Sequence, residues 1–500
     1  MTIKKNIDSV EGLSRRKFIQ QSAIAAAAFT IVPRYVLGGK GFNAPSDTLY
    51  IAGIGVGGKG ESDLTGFAGS PDGKVKGSPK ANIAFLCDVD DRRAAKSVAN
   101  FPKAKYYKDY RIMLDKEHKN IDAVSVSTPD HMHSIQALAA MQLGKHVYVQ
   151  KPLTHDIFEA RTLTEAAKKY KVVTQMGNQG ASGDGVRQLT EWYNADAIGD
   201  VHTVYCWTNR PVWPQGIEWS KNKAEVPKEL DWNLWLGTAP AKDYVEKLIP
   251  FNWRGWWDYG TGALGDMACH IIEPAFSTLK LKYPTDVTAS VGSVYVDEFK
   301  RGYFPDSCPP SSYIILTFPA RDGKSAVKLH WMDGGIQPPR PEELGPNEIM
   351  GDGGNGVIFV GTKGKMMCGT YGVNPQLLPT SRTAESKVPQ TIKRVPEGAQ
   401  GHYVQWVEAA LAGYGKQEVS SPFEIAGPLT ESILMGNLAI RSYDIRKPRE
   451  TKPTATNPNP TQQYDYPGRN IKLLWDGPNM KVTNFDEANQ FVKREYRTGW

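Results

Sequence analysis

A chain of 500 residues is too long for one compact core, so it reads as two domains plus tails. Its 40% hydrophobic and 10% aromatic content suits a folded globular protein. The formal net charge of +7 comes with no long Lys/Arg block, which argues against a nucleic-acid partner.

The N-terminus reads as an address. Ser14-Arg15-Arg16-Lys17-Phe18-Ile19 precede an apolar stretch over 23–32, the pattern of a secretory signal. A bilayer span needs about 20 apolar residues, so no stable membrane anchor is expected. The paired arginines resemble a twin-arginine (Tat) export signal. That resemblance implies the Tat machinery as a partner and a periplasmic or otherwise exported destination. Residues 1–45 are therefore signal and linker, outside the fold.

Residues 46–176 alternate between strand and helix. The run 48–54 is short, apolar and rich in β-formers, and it enters a glycine cluster. Further strands are predicted at 83–87, 123–127, 146–150 and 172–176, with helices over 135–143 and 159–170. Fully apolar strands between helices mean an α/β unit, a doubly wound parallel sheet of Rossmann type covered on both faces. The polar stretch 69–79 is a surface insertion.

From 177 to 445 the character changes. Tryptophan, proline and tyrosine crowd 205–257, and alternating β-branched runs follow at 287–296, 313–318, 326–331 and 356–361, with a helical stretch over 422–443. These predict a C-terminal α+β domain with a large, mostly antiparallel open sheet. Residues 446–500, rich in Pro, Asn and Lys, read as an extended tail without a core of its own. Five scattered cysteines (Cys87, Cys206, Cys269, Cys308, Cys368) form no Cys-x-x-Cys pair, so neither zinc nor a disulfide framework is expected.

Gly53, Gly55 and Gly58 satisfy G-x-G-x-x-G, with Gly57 inside the motif. The string follows a strand and opens a helix, the context a dinucleotide site demands. Gly53 permits the tight turn, Gly55 lets the backbone approach a pyrophosphate, and Gly58 allows close helix–strand packing. Asp88, at the end of the next strand, is placed to accept from an adenosine ribose hydroxyl. Its charge would repel a 2′-phosphate, favouring NAD over NADP, although Arg92 and Arg93 lie nearby.

Three further motifs follow in order. Ser127-Thr128-Pro129-Asp130-His131-Met132-His133, Lys145-His146-Val147-Tyr148-Val149-Gln150-Lys151-Pro152 and Gly262-Ala263-Leu264-Gly265-Asp266-Met267-Ala268-Cys269-His270 resemble three elements of the Gfo/Idh/MocA oxidoreductases. The similarity covers roughly 48–443. It implies an NAD(H)-dependent oxidoreductase acting on a sugar or polyol, and a homo-oligomer. Asp266 and His270, four apart, share a helix face, and Lys151 follows a strand end that should face the cofactor crevice. With the resemblance, Lys151 binds and acidifies the reacting hydroxyl, His270 is the general base and Asp266 the orienting carboxylate. Thr128, Pro129, His131, His133 and Gln150 join the cofactor-contact set, with no metal ligand among them. Gln150 stands where the family carries glutamate, so that neighbour brings no charge to Lys151.

Eight tryptophans between 207 and 257 precede the Asp266 helix. Flat aromatic faces suit pyranose rings, and Arg254 with Trp213, Trp256 and Trp257 are the candidates for a sugar pocket; the other tryptophans read as core. A second reading resembles glycoside hydrolase family 109, in which NAD is recycled within each turnover. It needs an extra base, for which Tyr205, His202 and Tyr259 are candidates. A third, a non-catalytic sensor, sits poorly with the presence of Lys151, Asp266 and His270.

Overall fold

The computed structural model describes residues 47–450 and 462–500. The export motif and apolar run over 14–32 lie outside the described residues. The described residues from Leu49 to Trp500 form one compact unit.

Six strands make the first sheet: β1 (Leu49–Ile54), β2 (Ala81–Cys87), β3 (Lys105–Tyr107), β4 (Ala123–Val126), β5 (His146–Val149) and β6 (Thr174–Met176). Their order is β3-β2-β1-β4-β5-β6, and every pairing is parallel. All four residues of β4 are buried, as are nearly all of β1 and β5. Strands shielded on both faces cannot alternate polar and apolar residues, which is why these segments read as continuous apolar runs. The helix Asp130–Gln142 begins at once after Pro129, five residues earlier than its apolar pattern suggested. The helix Ile157–Tyr170 carries a complete capping box, Asp156 accepting from the Glu159 N–H and Glu159 reaching back to the Asp156 N–H.

The second sheet has nine strands in the order β15-β14-β13-β7-β12-β11-β8-β18-β19. They are β7 (Val201–Trp207), β8 (Asp286–Val291), β11 (Ser312–Phe318), β12 (Val327–Met332), β13 (Gly356–Gly361), β14 (Gly364–Cys368), β15 (Gln376–Leu378), β18 (Leu473–Asp476) and β19 (Lys481–Val482). All pairings are antiparallel except β7 with β12. The run expected over 287–296 breaks into β8 and a separate hairpin of β9 (Tyr295–Asp297) and β10 (Lys300–Arg301). Another small pair, β16 (Lys447–Pro448) with β17 (Tyr464–Asp465), lies beyond the long buried helix Phe423–Tyr443.

The tail departs from its expectation. Instead of only lying over the surface, it adds β18 to the sheet edge at β8 and buries Leu473, Val482 and Ala488 in the main core. Its Pro and Asn content suggested an extended tail without a core of its own, but a few spaced apolar residues suffice once a sheet edge is there to receive them.

Candidate active site

β1 has β2 on one side and β4 on the other, so the chain order reverses there and the loops after β1, β2, β4 and β5 diverge around a crevice at the carboxyl edge. A cleft of about 600 Å³ opens at that edge, within the range of small-molecule sites.

The glycine loop forms one end. Gly55 has φ +75°, and a Cβ there would lie 2.8 Å from the Ser127 carbonyl, so only glycine lets the β1 and β4 loops pass each other. The close-packing role expected of Gly58 falls instead to Gly60, whose Cβ would stand 1.8 Å from the Gly55 carbonyl oxygen; at Gly58 a Cβ would meet only the Arg93 side chain. Gly53 lies within β1, while Gly57, Gly58 and Lys59 border the cleft. No side chain caps the helix Lys59–Ala68, so its N-terminal end is open to an anion.

Asp88 shapes this loop as well as bordering the cleft. Its Oδ2 accepts from the main-chain N–H groups of Val56 (2.9 Å) and Gly57 (3.1 Å), and its Oδ1 from that of Asp90 (3.0 Å). Burial pushes its carboxyl up to about 6. Arg92 is committed to Asp90 at 2.7 Å, whereas Arg93 borders the cleft beside Gly58.

Thr128, Pro129 and Gln150 line the cleft as expected, but His131 and His133 do not. His131 is fully buried with Nε2 3.1 Å from the Trp235 carbonyl. His133 ties the carbonyls of Thr128 and Pro152 together, both at 2.8 Å. They lie in the first turn of a buried helix, where side chains point back into the protein.

At the other end the three expected catalytic residues meet. Lys151 Nζ, just past β5, donates to Asp266 Oδ1 at 2.7 Å and to the Asp266 main-chain oxygen at 2.8 Å. An ammonium has three N–H donors, so one remains for a ligand. Arg254 Nε donates to the same Oδ1 at 3.2 Å. Burial opposes the charge on Asp266, yet Lys151 and Arg254 hold its carboxyl well below the usual carboxylate range. Two cations on one carboxylate leave surplus positive charge at this end of the cleft. His270, one turn along the helix Gly262–Ile271, borders the cleft too. Its Nδ1 is buried without a partner, leaving Nε2 as the nitrogen that reaches the cleft. Burial and then Lys151 push its imidazole well below the ordinary histidine value, so it stays neutral.

The structure also explains Gln150. Its amide donates to both oxygens of Asp63, at 3.1 and 2.9 Å, and Ser127 Oγ donates to Oδ2 at 2.8 Å. Lys59 bonds Asp63 from the preceding helical turn and also reaches the Tyr403 hydroxyl (2.9 Å), which accepts from Gln179 too. The fully buried carboxylate of this region thus sits on the first helix, and glutamine is the neutral donor that suits it. The Lys59-x-x-x-Asp63 spacing directly after the glycines was the available signal.

The aromatic expectations need correction. Arg254 lies in the cleft, but Trp213, Trp256 and Trp257 do not line it; Trp235, Trp253, Phe251 and Trp500 do. Trp213 is buried with its Nε1–H on Gln215, Trp256 packs on Trp219, and Trp257 faces Arg441. Tyr205 and His202 stand on β7 inside the large sheet, Tyr205 against His330 and His202 beside Thr203, and the fully buried Tyr259 packs on His131 and Trp235. None of the three lines the cleft. The missed group is Tyr371, whose ring lies 4.5 Å from that of His270 and borders the cleft. No local pattern marks it, since a loop more than a hundred residues away delivers it.

Among the described residues no group of three or more His, Cys, Asp or Glu is placed to hold a metal ion, and no helix is long and apolar enough to cross a membrane. All five cysteines are buried and free.

Comparison with known proteins agrees with this layout. Residues 51–178 match the oxidoreductase family model GFO_IDH_MocA, described as an NAD-binding Rossmann fold, and residues 197–297 match the C-terminal alpha/beta domain of the same family. A levoglucosan dehydrogenase of Pseudarthrobacter phenanthrenivorans is 25% identical over 190 residues, 38% of this chain and 40% of that protein. A glycosyl hydrolase family 109 protein of Shewanella pealeana is 27% identical over 31% of this chain and 37% of its own length. The chain spans about two fifths of the length of such curated relatives. A solved levoglucosan dehydrogenase in complex with NADH shares the fold, with TM-score 0.52 and 17% identity over 79% of this chain and 98% of that one. Residues 51–178 and 197–297 are thus similar, in order, to the NAD-binding Rossmann domain and the C-terminal alpha/beta domain of the GFO_IDH_MocA oxidoreductases.

Proposed function

We propose that this protein oxidises or reduces a hydroxyl of a sugar or glycoside with NAD(H). One observation carries the reading: Lys151, Asp266, Arg254 and His270 meet in the same cleft that the glycine loop and Asp88 close at its other end. The names of the relatives, levoglucosan dehydrogenase among them, support the substrate class.

The residues present fit the dinucleotide. The uncapped helix end at Gly57, Gly58 and Lys59 would take the pyrophosphate, and Asp88 the adenosine ribose. The Asp88 charge favours NAD over NADP. When bound, NAD supplies the hydride acceptor. Everything else is done by side chains. The free N–H of Lys151 holds the reacting hydroxyl oxygen, and the surplus positive charge of Lys151 and Arg254 stabilises it as alkoxide. His270 Nε2, neutral, accepts the hydroxyl proton and returns it in the reverse direction. Trp235, Trp253 and Phe251 offer apolar faces to a pyranose ring.

A second reading, glycoside cleavage with the cofactor restored at the end of each turnover, is favoured by Tyr371. Its ring borders the cleft 4.5 Å from that of His270, so a phenol is available there as the extra base this reaction needs. Absorbance at 340 nm during a sugar and aryl-glycoside screen separates the two. NADH accumulating with product supports the dehydrogenase, whereas glycoside cleavage without net NADH supports the hydrolase. Neither signal with any substrate would remove both readings.

Export by a Tat signal and assembly into a homo-oligomer remain part of the proposal. The Ser14–Ile19 motif supports the first. Expressing the chain with Arg15 and Arg16 replaced by lysine, then fractionating cells, tests it.

A further inference from the structure

The segment 494–500 lies outside both matched family domains, yet it is held firmly against the cleft. Arg494 donates from its main chain to Asp156 Oδ2 (3.1 Å), and from its guanidinium to Glu159 Oε1 (2.8 Å) and the His131 carbonyl (2.5 Å). Tyr496 adds its hydroxyl to the same Glu159 oxygen at 2.7 Å. Asp156 and Glu159 are the capping box of a Rossmann helix, so the segment is bolted to the cofactor domain through groups that domain already needs. Arg497 then crosses to the short helix Trp232–Leu236, donating to the Gly237 carbonyl (3.0 Å) and to Asn233 Oδ1 (2.9 Å) and O (3.0 Å).

These anchors deliver Trp500 to the wall of the cleft that Asp88, Val89, Asp109 and Tyr110 also line. Its ring also carries the Arg111 guanidinium, 4.2 Å from the ring centroid, and Arg111 is itself clamped by the two oxygens of Asp109. Asp88 follows β2, and Lys151 follows β5, three strand positions away and so about 14 Å across the sheet. Trp500, held against Arg111 of the helix Tyr110–Glu117 that follows β3, therefore stands on the Asp88 side of the cleft, away from the reacting group.

We propose that Trp500, fixed by Arg494, Arg497 and Arg111, is a wall of the subsite for the adenosine half of the dinucleotide and retains the cofactor. This rests on the NAD reading above. An aromatic ring held in place by a stacked cation loses little freedom when a purine packs on it, and base–aromatic contacts of this kind change affinity by about tenfold or more.

The test uses the full chain freed of co-purified nucleotide, with calorimetric titration of NADH and of reduced nicotinamide mononucleotide, which lacks adenosine. Trp500→Ala should weaken NADH binding about tenfold and leave the mononucleotide within twofold, while Trp500→Phe regains most of the loss. Equal NADH affinity in Trp500→Ala and the parent chain overturns the proposal. So does a parallel loss for the mononucleotide, which would signal a general disturbance of the cleft. Failure of the parent chain to bind either nucleotide would instead remove the NAD reading, and this inference with it.

Discussion

Lys151 Nζ lies 2.7 Å from Asp266 Oδ1 although 115 positions separate the two residues, and each side chain is only 14% exposed. This pair joins the Rossmann domain to the second domain at the end of the cleft where the proposed chemistry takes place. Removing one partner of a buried ion pair strands the other, so both geometry and charge depend on it.

Replacing Lys151 by methionine should lower kcat by about 10²–10³-fold, the scale of losing one preorganised donor at a developing oxyanion. NADH binding should persist, because the glycine loop and Asp88 are at the far end of the cleft. Steady-state kinetics beside calorimetry checks both halves. Turnover within tenfold of the parent chain would remove Lys151 from the mechanism.

In the proposed mechanism His270 sets the acid side of the pH–rate profile. Its imidazole is pushed below the ordinary histidine value of 6.5, so the neutral, proton-accepting form persists as pH falls through that value. The oxidation rate should therefore show no His270 break near 6.5, and its acid limb should lie well below. Rates from pH 4.5 to 9 with a stable buffer series test this; a break at 6.5 that vanishes in His270→Asn would contradict it.

Asp88 gives the cofactor step its own pH dependence. Its carboxyl is raised to about 6, so the acceptor charge is complete above that pH and is lost as pH falls through it. NADH affinity should weaken across the same window, and Asp88→Asn should flatten the curve. The same substitution removes the repulsion toward a 2′-phosphate and leaves Arg93 in the cleft, so the NADH to NADPH affinity ratio should drop. Titrations at pH 5, 6, 7 and 8 with both nucleotides decide the matter.

Gln150→Glu introduces the glutamate of the motif that this segment resembles but sets a second carboxylate within hydrogen-bond reach of buried Asp63, now 2.9 Å from the glutamine amide. One of the two acids must then hold a proton, or both pay for close like charge. The melting temperature should fall by several degrees at pH 8 and by less at pH 5, where protonation is easier. Adding Asp63→Asn to Gln150→Glu should recover part of the loss, a coupling readable in a double-mutant thermal-melt cycle.

Local sequence carried the periodic features. Apolar strands at β1, β4 and β5, the glycine loop at their switch point and the one-turn spacing of Asp266 and His270 are each set by neighbours a few residues apart, so they could be read directly. The same is true of Lys151 at a strand end. Strand β7 was harder to see because its aromatic residues pack within a sheet formed by partners more than a hundred positions away. Which tryptophan faces the cleft was illegible for a related reason. In an irregular loop, side-chain direction follows packing rather than any period, so Trp253 lines the cleft while Trp256 and Trp257 turn to other contacts.

By itself the sequence determined the class of both domains, the dinucleotide loop and the lysine, aspartate and histidine expected to act together. Tertiary structure alone decided that Asp63 answers Gln150, that Tyr371 stands beside His270 and that the 494–500 segment returns to the cleft. The physical reason is range. Hydrogen-bonding period and turn chemistry act over a handful of residues, whereas charge neutralisation and burial are satisfied by whichever distant groups the folded chain brings within a few ångströms.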